Sequence, residues 1–126
     1  MQKLTYSQVA PVRANLLQVQ KGKCALCGEM PKTPCLDHCH TNGWIRGVLC
    51  TGCNAMLGKL ENNRARYGLG TDTKFAVFLG NIAAYLNYHK YGPTNTLHPT
   101  HKTVEEKKEA RNAKARKARA AAKQTT

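Results

Sequence analysis

Cys35-Leu36-Asp37-His38-Cys39-His40-Thr41-Asn42-Gly43-Trp44-Ile45-Arg46-Gly47-Val48-Leu49-Cys50-Thr51-Gly52-Cys53-Asn54 decides how this chain folds. Its first six residues suit a short strand, Thr41-Asn42-Gly43 is a strong turn signal, and Trp44–Leu49 suits a second strand, so a hairpin is predicted. Beyond Cys53, residues Met56, Leu57 and Leu60 fall on one face of a helix over Asn54–Asn62. The order is therefore strand, strand, helix.

Just upstream lies Cys24-Ala25-Leu26-Cys27, a second C-x-x-C pair separated by 22 residues from Cys50 and Cys53. Each pair offers two sulfurs from a tight turn, and together they complete a tetrahedron. Four thiolates leave no open position, so the metal they imply is a structural zinc (Zn2+) tying the N-terminal segment to the end of the hairpin. A redox dithiol or unrelated buried cysteines are the competing readings. Cys35 and Cys39 lack this spacing and are read as small packing residues, with extra metal ligation as the alternative.

A staple answers a need that composition exposes. The chain has 126 residues, 41% apolar but only 6% aromatic, which suits one domain with a thin core. Lys and Arg outnumber Asp and Glu by 20 to 7, a net charge of +13 that favours a polyanionic partner, nucleic acid foremost. Solubility alone is served as well by acidic residues. Residues 102–126 hold nine Lys and Arg against three Glu, so the excess is steepest in the tail. Neither a membrane-length apolar run nor a secretory signal is read, so the expectation is an intracellular, cytoplasmic protein without a membrane partner. In such a reducing compartment, paired cysteines are more often metal ligands than disulfides.

Outside the central stretch, a helix is predicted from about Pro11 to Gln20, with Val9, Val12, Leu16, Leu17 and Val19 as its apolar set and Gly22 as its stop. Arg64–Thr71 reads as a loop. Thr73–Tyr91 carries Phe75, Phe78, Leu79, Ile82, Leu86 and His89 on one helical stripe, capped by Asp72 or Thr73 and stopped by Gly92-Pro93. That stripe is expected to form core. Residues 93–103 read as a linker, and Val104–Lys123, rich in Ala, Lys, Arg and Glu, as a helix that frays or stays disordered until it meets DNA. The chain thus divides into a domain over 1–92 and a basic tail over 93–126.

Chemistry can sit between the zinc pairs. Phosphodiester hydrolysis needs a cation on the phosphoryl oxygens, a base for water and support for the leaving oxygen. Asp37 and Asn54 offer hard oxygen ligands suited to magnesium or manganese (Mg2+ or Mn2+). His38 lies beside them, and a free imidazole, titrating near about 6.5, accepts a proton at neutral pH. His40 is placed to orient the phosphate or its neighbours.

The run Cys-x-x-Cys, Asp37-His38, Thr41–Cys50 and Cys53-Asn54 resembles the phage recombination endonuclease VII family, a branch of the His-Me finger or HNH nucleases. The resemblance spans about residues 20–58 and continues weakly into the Thr73–Tyr91 helix. It implies an α+β, zinc-stabilised domain with a ββα-metal core, flanking helices and a basic tail. It further implies that Cys24, Cys27, Cys50 and Cys53 hold structural zinc, Asp37 and Asn54 bind catalytic magnesium, His38 is the general base and His40 supports it. Cys39 stands where family members often carry an acidic residue, and the chain is shorter than the prototype resolvase. A magnesium-dependent DNA endonuclease is expected, acting on branched DNA as the family name suggests, and in a phage setting within the bacterial cytoplasm. A free-standing nicking or homing enzyme on duplex DNA is the alternative within that class, and a non-catalytic zinc module that binds nucleic acid the alternative outside it. A resolvase making paired cuts would be a homodimer. Arg46, Lys59, Arg64 and Arg66 are the candidate DNA contacts, although Arg46 is equally suited to an ion pair pinning the hairpin. Trp44 is expected to be buried, with base stacking as the other reading.

Overall fold

The computed structural model describes residues 2–124. The elements in chain order are α1 (Tyr6–Val19), β1 (Cys35–His38), β2 (Ile45–Leu49), α2 (Thr51–Asn63), α3 (Asp72–His89) and α4 (Val104–Gln124), with a 3-10 turn over Arg64–Tyr67 between α2 and α3. Two compact units divide between Gly80 and Asn81, inside α3.

In the first unit, β1 and β2 form a two-stranded antiparallel sheet pairing Cys35 with Leu49, Leu36 with Val48, Asp37 with Gly47 and His38 with Ile45. The register slips between Asp37 and His38, leaving Arg46 as an extra residue on β2. Such a bulge re-aims side chains. At the hairpin's end Gly43 adopts φ +80°, a conformation that favours glycine. The Trp44 N–H donates to Asn42 Oδ1 at 3.0 Å, and the Cys39 N–H donates to the Trp44 carbonyl at 2.9 Å. The predicted turn is thus in place.

Both α1 and α2 pack on the hairpin. α1 begins at Tyr6, five residues before the predicted start, because Gln8 Oε1 accepts the Thr5 N–H at 2.8 Å and closes the first turn. Pro11 consequently lies inside the helix, where it offers no N–H to the carbonyl of Ser7, an exposed residue that water reaches. At the far end, the Gln20 side chain acts as a surrogate strand: its Oε1 accepts the Val48 N–H at 2.8 Å and its Nε2 donates to the Val48 carbonyl at 2.9 Å. Gly47 admits this approach, since a Cβ there would lie 3.1 Å from Gln20 Oε1.

The core is as thin as composition predicts. Among the described residues, Cys24, Val48, Leu49 and Phe75 are the buried apolar side chains, and Asp37 is buried with them. Three expectations fail here. Trp44 is 57% exposed, because it precedes the first residue of β2 and leaves at the turn end of the hairpin. Met56 and Val19 point outward, leaving Leu57 and Leu60 as the half-buried residues of α2. Of the α3 stripe only Phe75 is buried, whereas Phe78 and Leu86 are exposed. Thr71, rather than Asp72 or Thr73, caps α3, accepting the Lys74 N–H on its Oγ1 at 3.3 Å.

In the second unit, α4 is exposed along its length. Where composition leaves a choice between frayed helix and disorder, the structure has a helix, started by Thr103 Oγ1 accepting the Glu106 N–H at 3.1 Å and by Glu105 and Glu106 in its first turn.

Gln20→Ala orphans the buried Val48 N–H, and an unsatisfied group of that kind costs roughly 1–3 kcal/mol. Urea denaturation of the zinc-loaded variant is expected to show a loss of this size; an unchanged midpoint would remove the side chain from the sheet's support.

Candidate active site and metal centre

The sulfurs of Cys24, Cys27, Cys50 and Cys53 all lie within 4.8 Å of one another. Cys27 and Cys50 Sγ are 3.8 Å apart, which equals the edge of about 3.8 Å in a tetrahedron with metal–sulfur bonds of about 2.3 Å. The turns that carry them are built for thiolates. The Cys50 N–H donates to Cys24 Sγ at 3.3 Å, and the Cys53 N–H donates to Cys50 Sγ at 3.4 Å while Cys50 caps α2. Burial opposes ionisation of Cys24, yet backbone N–H groups of Cys27, Cys50 and Leu26 outweigh it and bring the thiol down to about 6. The hydrogen bond with Cys50, joined by burial, pushes Cys53 up to about 12. Crowded sulfurs cannot all ionise together without a counterion, and a dication is what relieves them. The four residues can therefore hold a structural zinc. Cys35 and Cys39 are half-buried free thiols outside this cluster.

One residue from the end of β1, Asp37 is 6% exposed. Arg46, freed from the pairing register by the bulge, grips it with both arms, Nε to Oδ2 at 2.7 Å and Nη2 to Oδ1 at 3.1 Å. The same guanidinium reaches α2, with Nη1 to Glu61 Oε2 at 3.0 Å and Nη2 to Glu61 Oε1 at 2.9 Å. Arg46 therefore forms the ion pair that pins the hairpin, and it also pins the helix. Its pKa is raised, first by Glu61 and then by Asp37. Glu61 is lowered by the donors of Arg46, with burial opposing only in part.

Asn54 sits in the first turn of α2, its N–H donating to the Cys50 carbonyl at 3.0 Å. Seven residues advance a helix by about two turns, so Asn54 and Glu61 share a face. Asn54, Leu57 and Glu61 are all half-buried, and Leu57 lines a hollow with Asp37 and Arg46. The face of α2 that carries Asn54 is thereby turned toward the hairpin. Among the described residues none hydrogen-bonds to the Asn54 side chain, which leaves its amide oxygen free to accept another partner. His38 is exposed at the end of β1, its ring stacked on His40 with centroids 4.8 Å apart and planes within 3°.

The other predicted DNA contacts scatter. Lys59 is exposed, about 140° around α2 from Asn54, on the side away from Asp37. Arg66 is exposed in the 3-10 turn. Arg64 is engaged structurally, donating to Asp72 Oδ1 at 2.8 Å and lying over the Phe75 ring at 5.0 Å. Sequence reasoning missed Glu61 and Gln20. The seven-residue interval from Asn54 to Glu61 was the available signal for the first, and nothing local distinguishes the second.

A short hairpin and helix, bracketed by two cysteine pairs that converge on one metal-sized cluster, define a small α+β domain built around a four-thiolate site. The family model of recombination endonuclease VII matches residues 1–87, and the chain belongs to that family. It is accordingly a nuclease acting on DNA. No helix among the described residues is long and apolar enough to cross a membrane.

Two outcomes follow. Elemental analysis is expected to find one zinc per chain, and removing it with a chelator, or by Cys24→Ser with Cys53→Ser, to abolish cooperative unfolding in calorimetry, since metal binding in such domains is folding free energy; a metal-free chain that still melts cooperatively would refute this. Glu61, depressed in the folded state, contributes stability that is present above its unfolded value of about 4.3 and lost as pH falls through the folded value. Glu61→Gln should therefore melt below wild type at neutral pH, the gap closing as the pH drops below about 4. A gap constant across that range would assign it to something other than the ion pair.

Proposed function

We propose that the protein is a metal-dependent DNA endonuclease in which Asp37 and Asn54 hold Mg2+ or Mn2+, His38 is the general base and His40 keeps the His38 ring in place by stacking. The observation that carries this reading is the bridge from Asp37 through Arg46 to Glu61, because it turns the Asn54 face of α2 toward the carboxylate. The donor set fits the group: a carboxylate has about four lone-pair sites, of which Arg46 uses two, and the Asn54 amide oxygen has no protein partner. When bound, the cation neutralises charge on the phosphoryl oxygens. His38, exposed at the strand's end, takes the proton from the attacking water. Arg46 orients the Asp37 carboxylate through two hydrogen bonds.

DNA is held mainly through charge. Arg66, Lys59 and the exposed basic residues of α4 contact phosphates, whereas Arg64 and Arg46 are first committed to ion pairs. Affinity should then fall steeply with salt and carry little base readout from the tail. Branched DNA, cut by a homodimer, is the substrate we favour. What supports a homodimer is that, in the second unit, Tyr85, Leu86, Tyr88 and Tyr91 are all exposed, an apolar surface that a partner copy would cover.

Purified zinc-loaded protein is tested with magnesium on supercoiled plasmid, linear duplex and a four-way junction, beside His38→Ala and Asn54→Ala. Wild type is expected to cut and the junction to be cut fastest, with each variant binding normally and losing about 10²- to 10⁴-fold in rate, the range of general-base contributions. If folded wild type binds all three and cuts none with either metal, the zinc-module reading replaces this one.

A further inference from the structure

Trp44 is the chain's single tryptophan, and the residue is 57% exposed although its backbone N–H and carbonyl are both hydrogen-bonded within the turn. It lines a hollow of about 620 Å³ whose other walls include Leu36, Ile45 and Val9, with Lys3 and His38 also lining it. That volume is within the ~300–1,000 Å³ of small-molecule sites. The lining is therefore an aromatic ring and aliphatic side chains with the polar groups of Gln2, Lys3 and His38, of which Lys3 is cationic. A free apolar face would equally suit a protein segment. The cationic Lys3 in this lining favours an anion attached to something flat and apolar. A nucleotide meets that description.

We propose that this hollow is a subsite for one unstacked nucleobase, stacked on Trp44 with its phosphate held by Lys3. A base inside duplex DNA is paired and stacked on both faces and cannot enter; a base already extrahelical or in a single strand can, at little cost. Because His38 lines the same hollow, the captured base is a near neighbour of the phosphate that His38 serves, a placement that rests on the nuclease reading above. Base capture itself does not.

The single tryptophan makes the test direct, since its emission reports Trp44 alone. Zinc-loaded protein without added divalent metal is titrated with a fully paired duplex, the same duplex carrying one extrahelical adenine, and a single strand, with binding followed independently by anisotropy of a labelled end. Emission is expected to be quenched by the extrahelical base and by the single strand, and not by the saturating paired duplex. Trp44→Ala should weaken the extrahelical ligand about 5- to 150-fold, the span of base–aromatic stacking, and leave the paired duplex unchanged. Trp44→Phe, which keeps a stacking ring, should recover most of the loss and guards against misfolding of the alanine variant. Equal quenching by the paired duplex, or equal weakening of both ligands by Trp44→Ala, overturns the proposal. So does an emission change that tracks protein concentration without DNA, which would assign the hollow to a second copy. Asn54→Ala, at a residue that does not line the hollow, separates the two readings: selective quenching in a variant that no longer cuts supports the subsite independently, and a wild type that cuts without selective quenching rejects the subsite alone.

Discussion

Cys24 and Cys27 meet Cys50 and Cys53 within 4.8 Å, and almost everything else in the first unit is positioned by that convergence. With four apolar side chains buried among the described residues, burial at about 25 cal/mol per Å² cannot by itself hold a hairpin of four- and five-residue strands. A four-thiolate metal site can, because its binding energy is spent on joining segments that are distant in sequence. The first pair closes the segment after α1 and the second caps α2, so one ion held by the four sulfurs would tie together the elements that flank the hairpin. Val48, fully buried, hydrogen-bonds to Gln20 and Ala25 just beside it.

The Asp37–Arg46–Glu61 cluster is the electrostatic counterpart of that staple. One guanidinium satisfies two carboxylates from different elements, and the β-bulge makes this possible by taking Arg46 out of the pairing with β1. Burying Asp37 without such a partner would be costly. With the partner, the carboxylate is held by two hydrogen bonds, on the side of the hairpin that α2 packs against. The arrangement holds the Asp37 carboxylate still, while the histidines at the end of β1 remain open to solvent.

Much of this was readable from local sequence. The two C-x-x-C pairs, the Asn42-Gly43 turn, the strand–strand–helix order and the basic tail depend on spacing and backbone preference within a few residues, and the structure keeps all of them. The boundaries shifted where a cap outweighed a breaker, as at Thr5 and Gln8 ahead of Pro11, and at Thr71 ahead of Asp72. Arg46 was legible as a choice between phosphate and ion pair, and only the arrival of Glu61 from α2 resolved it.

Residue type and spacing alone determined the four-cysteine cluster, the hairpin and the family, because each is written in short continuous patterns. Tertiary structure alone decided which apolar residues are covered, since burial depends on what arrives from elsewhere in the chain. Periodicity marks Phe78 and Leu86 as core and size marks Trp44 the same way, yet all three are exposed. The exposed aromatic beside His38 and the guanidinium shared between Asp37 and Glu61 follow from that packing, which no local pattern in the sequence encodes.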